Sequence, residues 1–166
     1  MAITANGMIA RENNQEDFLS HENWKVFVKL AESAGCFIIG RKTYEEVKKW
    51  EEYNFDSVNA RKIIVSRDKG YKPAVGYTTA ISPKDALQKA SRLSFKRVLL
   101  AGGSILNSSF MNEGLIDEII LNIEPYILGK GISLFTSHNF EGKLKLIKAT
   151  ALKRGIVQLH YKVRAP

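Results

Sequence analysis

Two short segments of this 166-residue chain combine residue types that bind anions. Cys36-Phe37-Ile38-Ile39-Gly40-Arg41-Lys42-Thr43-Tyr44 and Val98-Leu99-Leu100-Ala101-Gly102-Gly103-Ser104 each run from apolar residues into glycine, then into polar residues that open a helix. A strand ending in glycine lets a ligand approach the backbone, and the first turn of a helix leaves N–H groups without intrahelical partners. The combination suits phosphate. Arg41 and Lys42 add fixed positive charge at the first segment. Two such strand ends in one chain point to a ligand with several phosphates, a dinucleotide.

The elements that must hold these segments alternate between strand and helix. Ile3-Thr4-Ala5 reads as a short first strand running into a loop at Asn6-Gly7, and the loop continues through Met8-Ile9-Ala10. After Ser20, apolar Trp24, Phe27, Val28 and Ala31 recur at helical spacing until Gly35. Strands are expected over 36–39, 62–65, 77–80 and 97–101. Helices are expected over 42–50, from Pro83 to about residue 93 behind a Ser82 cap, and over 104–111 with Gly114 past the end. A long strand over 116–124 stops at Pro125, and strands over 144–152 and 156–163 flank Lys153-Arg154-Gly155 as a hairpin. This order predicts an α/β fold of three α/β/α layers, a mostly parallel sheet with a C-terminal antiparallel hairpin, in a single domain over 1–166. In such open sheets ligands bind outside the carboxyl ends of the strands, where Gly40, Ser66-Arg67 and Gly102-Gly103 all fall.

Composition narrows the function classes. Twenty-five basic against 17 acidic residues give a net charge of +8, which favours an anionic partner. The basic residues are scattered in short groups, with no basic helix or aromatic-interleaved strand of the kind that binds nucleic acid. No apolar run approaches a membrane span, and the opening residues lack the pattern of a signal peptide, so a cytoplasmic protein is expected. Cys36, the sole cysteine, lies in an apolar run and reads as a buried structural thiol. His21, His138 and His160 are too scattered for a metal site. There is no G-x-G-x-x-G after the first strand and no G-x-x-x-x-G-K-[ST], which argues against an ordinary Rossmann dehydrogenase and a P-loop hydrolase.

Several blocks resemble a known family. Gly40-Arg41-Lys42-Thr43-Tyr44-Glu45, Ile64-Val65-Ser66-Arg67, Leu99 to Leu106 and Gly114-Leu115-Ile116-Asp117-Glu118 are similar to successive blocks of the dihydrofolate reductase superfamily. Glu124-Pro125-Tyr126-Ile127-Leu128-Gly129-Lys130-Gly131-Ile132-Ser133-Leu134-Phe135 and Thr4-Ala5-Asn6-Gly7-Met8-Ile9-Ala10 resemble the branch containing the reductase domain of riboflavin biosynthesis, the C-terminal domain of the bifunctional deaminase-reductase.

The resemblance implies a dihydrofolate-reductase-like fold, NADPH as cofactor, and hydride transfer to the ribosyl group of 5-amino-6-(5-phosphoribosylamino)uracil, a small phosphorylated heterocyclic substrate. It implies that Arg41 and Thr43 hold adenosine-side phosphates, and that Ser66 and Arg67 border the adenine and its 2′-phosphate. Gly102, Gly103, Ser104 and Ile105 would cradle the pyrophosphate, Gly40 would belong to the same cofactor site, and Ala5 would line the nicotinamide side. Thr4, Asn6, Trp24 and Asn122 are the candidates for substrate contact. No residue is assigned as the catalytic proton donor, and a homodimer through the C-terminal strands is implied.

Two positions depart from the patterns. Trp24 stands where dihydrofolate reductases carry a carboxylate, and Ala101 stands where riboflavin reductases carry glutamate before the two glycines. The alternatives are therefore a dihydrofolate reductase and a nucleotide-binding protein without catalysis.

Overall fold

In the computed structural model, residues 1–50, 52–136 and 139–164 are described; His138, one of the three scattered histidines, lies outside them. The chain forms two compact units, a central one over Trp24–Leu106 and a terminal one over Met1–Asn23 and Asn107–Pro166.

The central unit is a parallel α/β sheet. Its strands are β3 (Cys36–Gly40), β4 (Arg61–Val65), β5 (Tyr77–Ala80) and β6 (Leu99–Leu100), in the order β5-β4-β3-β6 with every pair parallel. Parallel strands are buried on both faces and so read as continuous apolar runs. Cys36, Phe37, Ile38 and Ile39 are all buried in this way. Helices α2 (Arg41–Val47) and α3 (Pro83–Arg92) supply the crossovers. The α3 start is chemically marked: the Ser82 hydroxyl accepts from the Asp85 N–H at 3.2 Å, Pro83 takes the first turn, and Asp85 and Lys89 pair at 2.8 Å. An aromatic group of Trp24, Phe27, Phe37 and Phe55 fills the core, with ring centroids 5.3–5.8 Å apart between contacting pairs.

The terminal unit carries a second sheet, ordered β1-β7-β10-β9, from β1 (Ala2–Thr4), β7 (Glu118–Glu124), β9 (Lys143–Ala151) and β10 (Val157–Arg164). Its β1 and β7 are parallel, whereas β7, β10 and β9 are antiparallel, so the predicted C-terminal hairpin is present. Side-chain alternation gives β7 two different faces. Leu121 and Ile123 join Ile3, Ile9, Ala10, Ile132 and Leu134 in an apolar cluster. Asn122 and Glu124 point the other way.

Several elements differ from the sequence reading. Met8–Ala10, expected as loop, is a strand (β2) paired antiparallel with Ile132–Ser133 (β8), itself unforeseen. Each is too short to show an alternating pattern, and their pairing is long-range. The strand expected over 97–101 shrinks to Leu99–Leu100, because only Phe37 and Ile38 of β3 offer it partners. Helix α2 ends at Val47, three residues early. The remaining helices, α1 (His21–Ala34) and α4 (Ser104–Asn112), lie where predicted.

Candidate functional site

The two glycine-terminated strands meet. Because β6 pairs with β3 through Phe37↔Leu99 and Ile38↔Leu100, Gly102 arrives beside Gly40, and the Gly40 N–H donates to the Gly102 carbonyl at 2.7 Å. Gly102 has φ +89°, a conformation open to glycine and strained for side-chain-bearing residues. At Gly103 a Cβ would come within 2.8 Å of Thr43 Oγ1, which accepts the Gly103 N–H at 3.0 Å. Thr43 on α2 thus fixes the turn that leads into α4, whose first residues are buried Ser104 and exposed Ile105.

The third strand end joins them. The register Gly40↔Val65 sets Ser66 and Arg67 immediately after β4, at the level where α2 begins. Ser66 is buried, and its hydroxyl accepts the Asp68 N–H at 3.2 Å, which folds the loop back. Asp68 then lies 3.8 Å from Arg41, whose guanidinium also sits 5.6 Å from the centre of the Tyr71 ring. Arg41 is thereby held by a carboxylate on one side and an aromatic face on the other, an arrangement that restricts a long side chain. Arg67 is exposed.

So Gly40, Arg41, Thr43, Ser66, Arg67, Gly102, Gly103, Ser104 and Ile105 gather at one end of the parallel sheet. Trp24 does not join them: its ring packs on Phe27, Tyr53 and Phe55 at 5.3, 5.2 and 5.8 Å. The donor set comprises backbone N–H groups, the hydroxyls of Thr43, Ser66 and Ser104 and two guanidinium groups, with no space for a side chain at Gly103 beside Thr43. Those are the groups that phosphates of a dinucleotide require, so the residues present fit NADPH.

The terminal unit gathers the other candidates. Thr4 is fully buried; its hydroxyl donates to Asn6 Oδ1 at 2.8 Å and accepts the Met8 N–H at 2.9 Å. Asn6 in turn donates from Nδ2 to the Leu128 carbonyl at 2.7 Å and accepts the Leu128 N–H at 3.3 Å. The Ala5 N–H donates to the Tyr126 carbonyl at 2.8 Å. Ala5 and Asn6 are exposed, but the Asn6 amide is committed to holding two backbone segments together.

Asn122 lies on the polar face of β7 in a chain of amides. Gln158 Nε2 donates to Asn122 Oδ1 at 2.9 Å, Asn122 Nδ2 donates to Asn23 Oδ1 at 2.8 Å, and Asn23 Nδ2 donates to Glu124 Oε1. Glu124 Oε1 also accepts the Ser20 N–H at 2.8 Å. Asn23, Asn122 and Glu124 are 4–8% exposed. Sequence reasoning missed Asn23 and Glu124. The period-2 placement of Asn122 and Glu124 on one strand face was the available signal.

The mixed α/β fold, with its parallel sheet and antiparallel C-terminal strands, is shared by solved structures of riboflavin-biosynthesis proteins. A protein from Shewanella sp. PV-4, provisionally assigned to riboflavin biosynthesis, has the same fold with a TM-score of 0.84 at 20% identity, over 99% of this chain and 97% of that one. The diaminohydroxyphosphoribosylaminopyrimidine deaminase/5-amino-6-(5-phosphoribosylamino)uracil reductase of Thermotoga maritima matches with a TM-score of 0.74 at 15% identity, over 98% of this chain and 55% of that one. The chain belongs to the RibD C-terminal domain family, whose model matches residues 1–158. It is also 32% identical over 171 residues to the uncharacterized protein YwjB of Bacillus subtilis (strain 168), across 99% of this chain and 95% of that one.

Proposed function

We propose that this chain is an NADPH-dependent reductase that acts on the ribosyl group of a phosphorylated aminopyrimidine, of the kind named for the Thermotoga relative. The observation that carries the cofactor half is the junction of Gly40 with Gly102 and of Thr43 with Gly103, beside an arginine held between Asp68 and Tyr71. When bound, NADPH supplies a hydride to the carbon of a C=O or C=N group. The chain's own part is orientation. The turn of Gly102, Gly103, Ser104 and Ile105 takes the pyrophosphate, Arg41 and Thr43 take the adenosine-side phosphates, and Ser66 and Arg67 border the adenine and its 2′-phosphate. Ala5, Thr4, Asn6 and Asn122 are proposed for the nicotinamide and substrate side, a role that rests on the resemblance. The packing of Trp24 among core aromatics supports a wall residue rather than a chemical one. A cytoplasmic homodimer completes the proposal.

The test is NADPH oxidation with 5-amino-6-(5-phosphoribosylamino)uracil and with dihydrofolate as separate substrates. Turnover of the aminopyrimidine is expected; turnover of dihydrofolate alone rejects the assignment. Saturable NADPH binding without turnover of either would leave a nucleotide-binding protein. Arg41→Ala should weaken NADPH by about 1–3 kcal/mol, the value of a charge-assisted hydrogen bond, and weaken NADH less. Equal losses, measured by equilibrium titration, would show that Arg41 does not read the 2′-phosphate.

A further inference from the structure

Glu124 is 4% exposed, and its carboxylate is used on one side only. Oε1 accepts both hydrogen bonds, from the Ser20 N–H and from Asn23 Nδ2. The second oxygen accepts none from any described residue, and it is not among the sealed polar atoms that lack partners, so it keeps an opening to solvent. Among the described residues no Lys, Arg or His pairs with this carboxylate. A carboxylate taken out of water without a cation is costly, and neutral N–H donors on one oxygen offset only part of that cost.

The surrounding amides are oriented toward it. A carboxylate oxygen only accepts, so Asn23 must turn Nδ2 to Glu124 and Oδ1 to Asn122; Asn122 must then turn its own Oδ1 to Gln158. The chain Gln158, Asn122, Asn23, Glu124 runs donor to acceptor in a single direction, and each bond polarises the next. Its effect is to fix Oε1 and leave Oε2 as a preset acceptor that no described residue fills. No group of three potential metal ligands occurs among the described residues, and a lone oxygen is a poor cation site. A single preset acceptor suits one N–H.

We propose that Glu124 Oε2 accepts a hydrogen bond from a ring N–H of the heterocyclic substrate. This rests on the substrate class of the proposed function and deepens it.

Glu124→Gln isolates this role, because the amide carbonyl can still accept from Ser20 and Asn23 while the open acceptor becomes an NH2 donor. The experiment compares binding of 5,6-diaminouracil with that of its 1,3-dimethyl derivative, whose ring nitrogens carry no hydrogen, by calorimetry on the unmodified chain and on the variant. NADPH binding and thermal unfolding are measured alongside. The unmodified chain is expected to prefer diaminouracil by about 10- to 100-fold, the range of one charge-assisted bond, and Glu124→Gln to lose that preference with its melting temperature retained. An equal preference in both chains overturns the proposal, as does failure of the unmodified chain to bind diaminouracil. In that last case the NADPH titration separates the two failures: bound NADPH leaves the reductase reading standing, and unbound NADPH removes it. Should the variant not fold, the unmodified chain decides alone, and equal binding of the two uracils overturns the assignment.

Discussion

Cys36 opens β3, fully buried, and burial pushes its thiol from the usual 9.0 up to about 11 against a smaller opposing pull from Arg61. The neutral thiol is therefore favoured in the folded chain, and between those two values the unfolded chain releases its proton first. The sign follows from that order: the contribution is fully present below pH 9 and is lost as pH rises to 11, about 2–3 kcal/mol in all. Urea unfolding at pH 8 and pH 11, for the unmodified chain and Cys36→Ala, should show a loss across the window larger by that amount in the unmodified chain. Equal losses would show that burial does not govern this thiol. The buried structural thiol was legible in the sequence because an apolar run flanks it on one side and a helix terminator on the other. Glu124 was not legible, since nothing local marks a glutamate before proline as buried; its burial depends on Asn23 and Ser20, about 100 residues away.

At the scale of elements, the parallel sheet was readable because its central strands β3 and β4 carry apolar runs, Phe37-Ile38-Ile39 before Gly40 and Ile63-Ile64-Val65 before Ser66, and because the α3 start is marked by Ser82-Pro83. What could not be read was β2 pairing with β8, two- and three-residue strands whose partners lie over 120 residues apart. The device that holds this region is the Asn6 amide. It bonds both backbone groups of Leu128 and also accepts from Thr4, so one side chain joins the β1–β2 turn to the loop after β7. A turn residue before glycine and a substrate contact were equally open readings of Asn6, and stability separates them. Asn6→Ala is expected to destabilise the chain by about 1–3 kcal/mol in urea unfolding, because it removes three hydrogen bonds and leaves the buried Thr4 hydroxyl without its acceptor. A midpoint unchanged within error, together with weakened substrate binding, would leave Asn6 as a ligand contact alone.

At the scale of the whole molecule, the terminal sheet ends in an unprotected strand. Strand β9 is nine residues long, occupies the edge next to β10, and is exposed almost throughout. Leu144, Leu146 and Ile147 are 44, 51 and 50% exposed there, and the register shift opposite His160 and Tyr161 adds an irregularity beside them. Long apolar edges invite pairing with another chain, and proteins that remain monomeric blunt them with charge. Here Lys143, Lys145 and Lys148 alternate with the apolar residues, so charge limits pairing without removing the apolar side. A second copy of this chain is the proposed occupant, in line with the C-terminal-strand dimers of the branch that the sequence resembles. Light scattering behind size-exclusion chromatography should therefore give twice the 18.7 kDa chain mass, and Leu146→Glu should shift the population to monomer, since an exposed position tolerates the charge while an interface does not. The same variant should keep its NADPH affinity, because Arg41, Thr43 and Gly103 belong to the central unit. A monomeric mass for the unmodified chain at every concentration tested would remove the edge strand from the assembly and leave Leu144, Leu146 and Ile147 as ordinary exposed apolar residues.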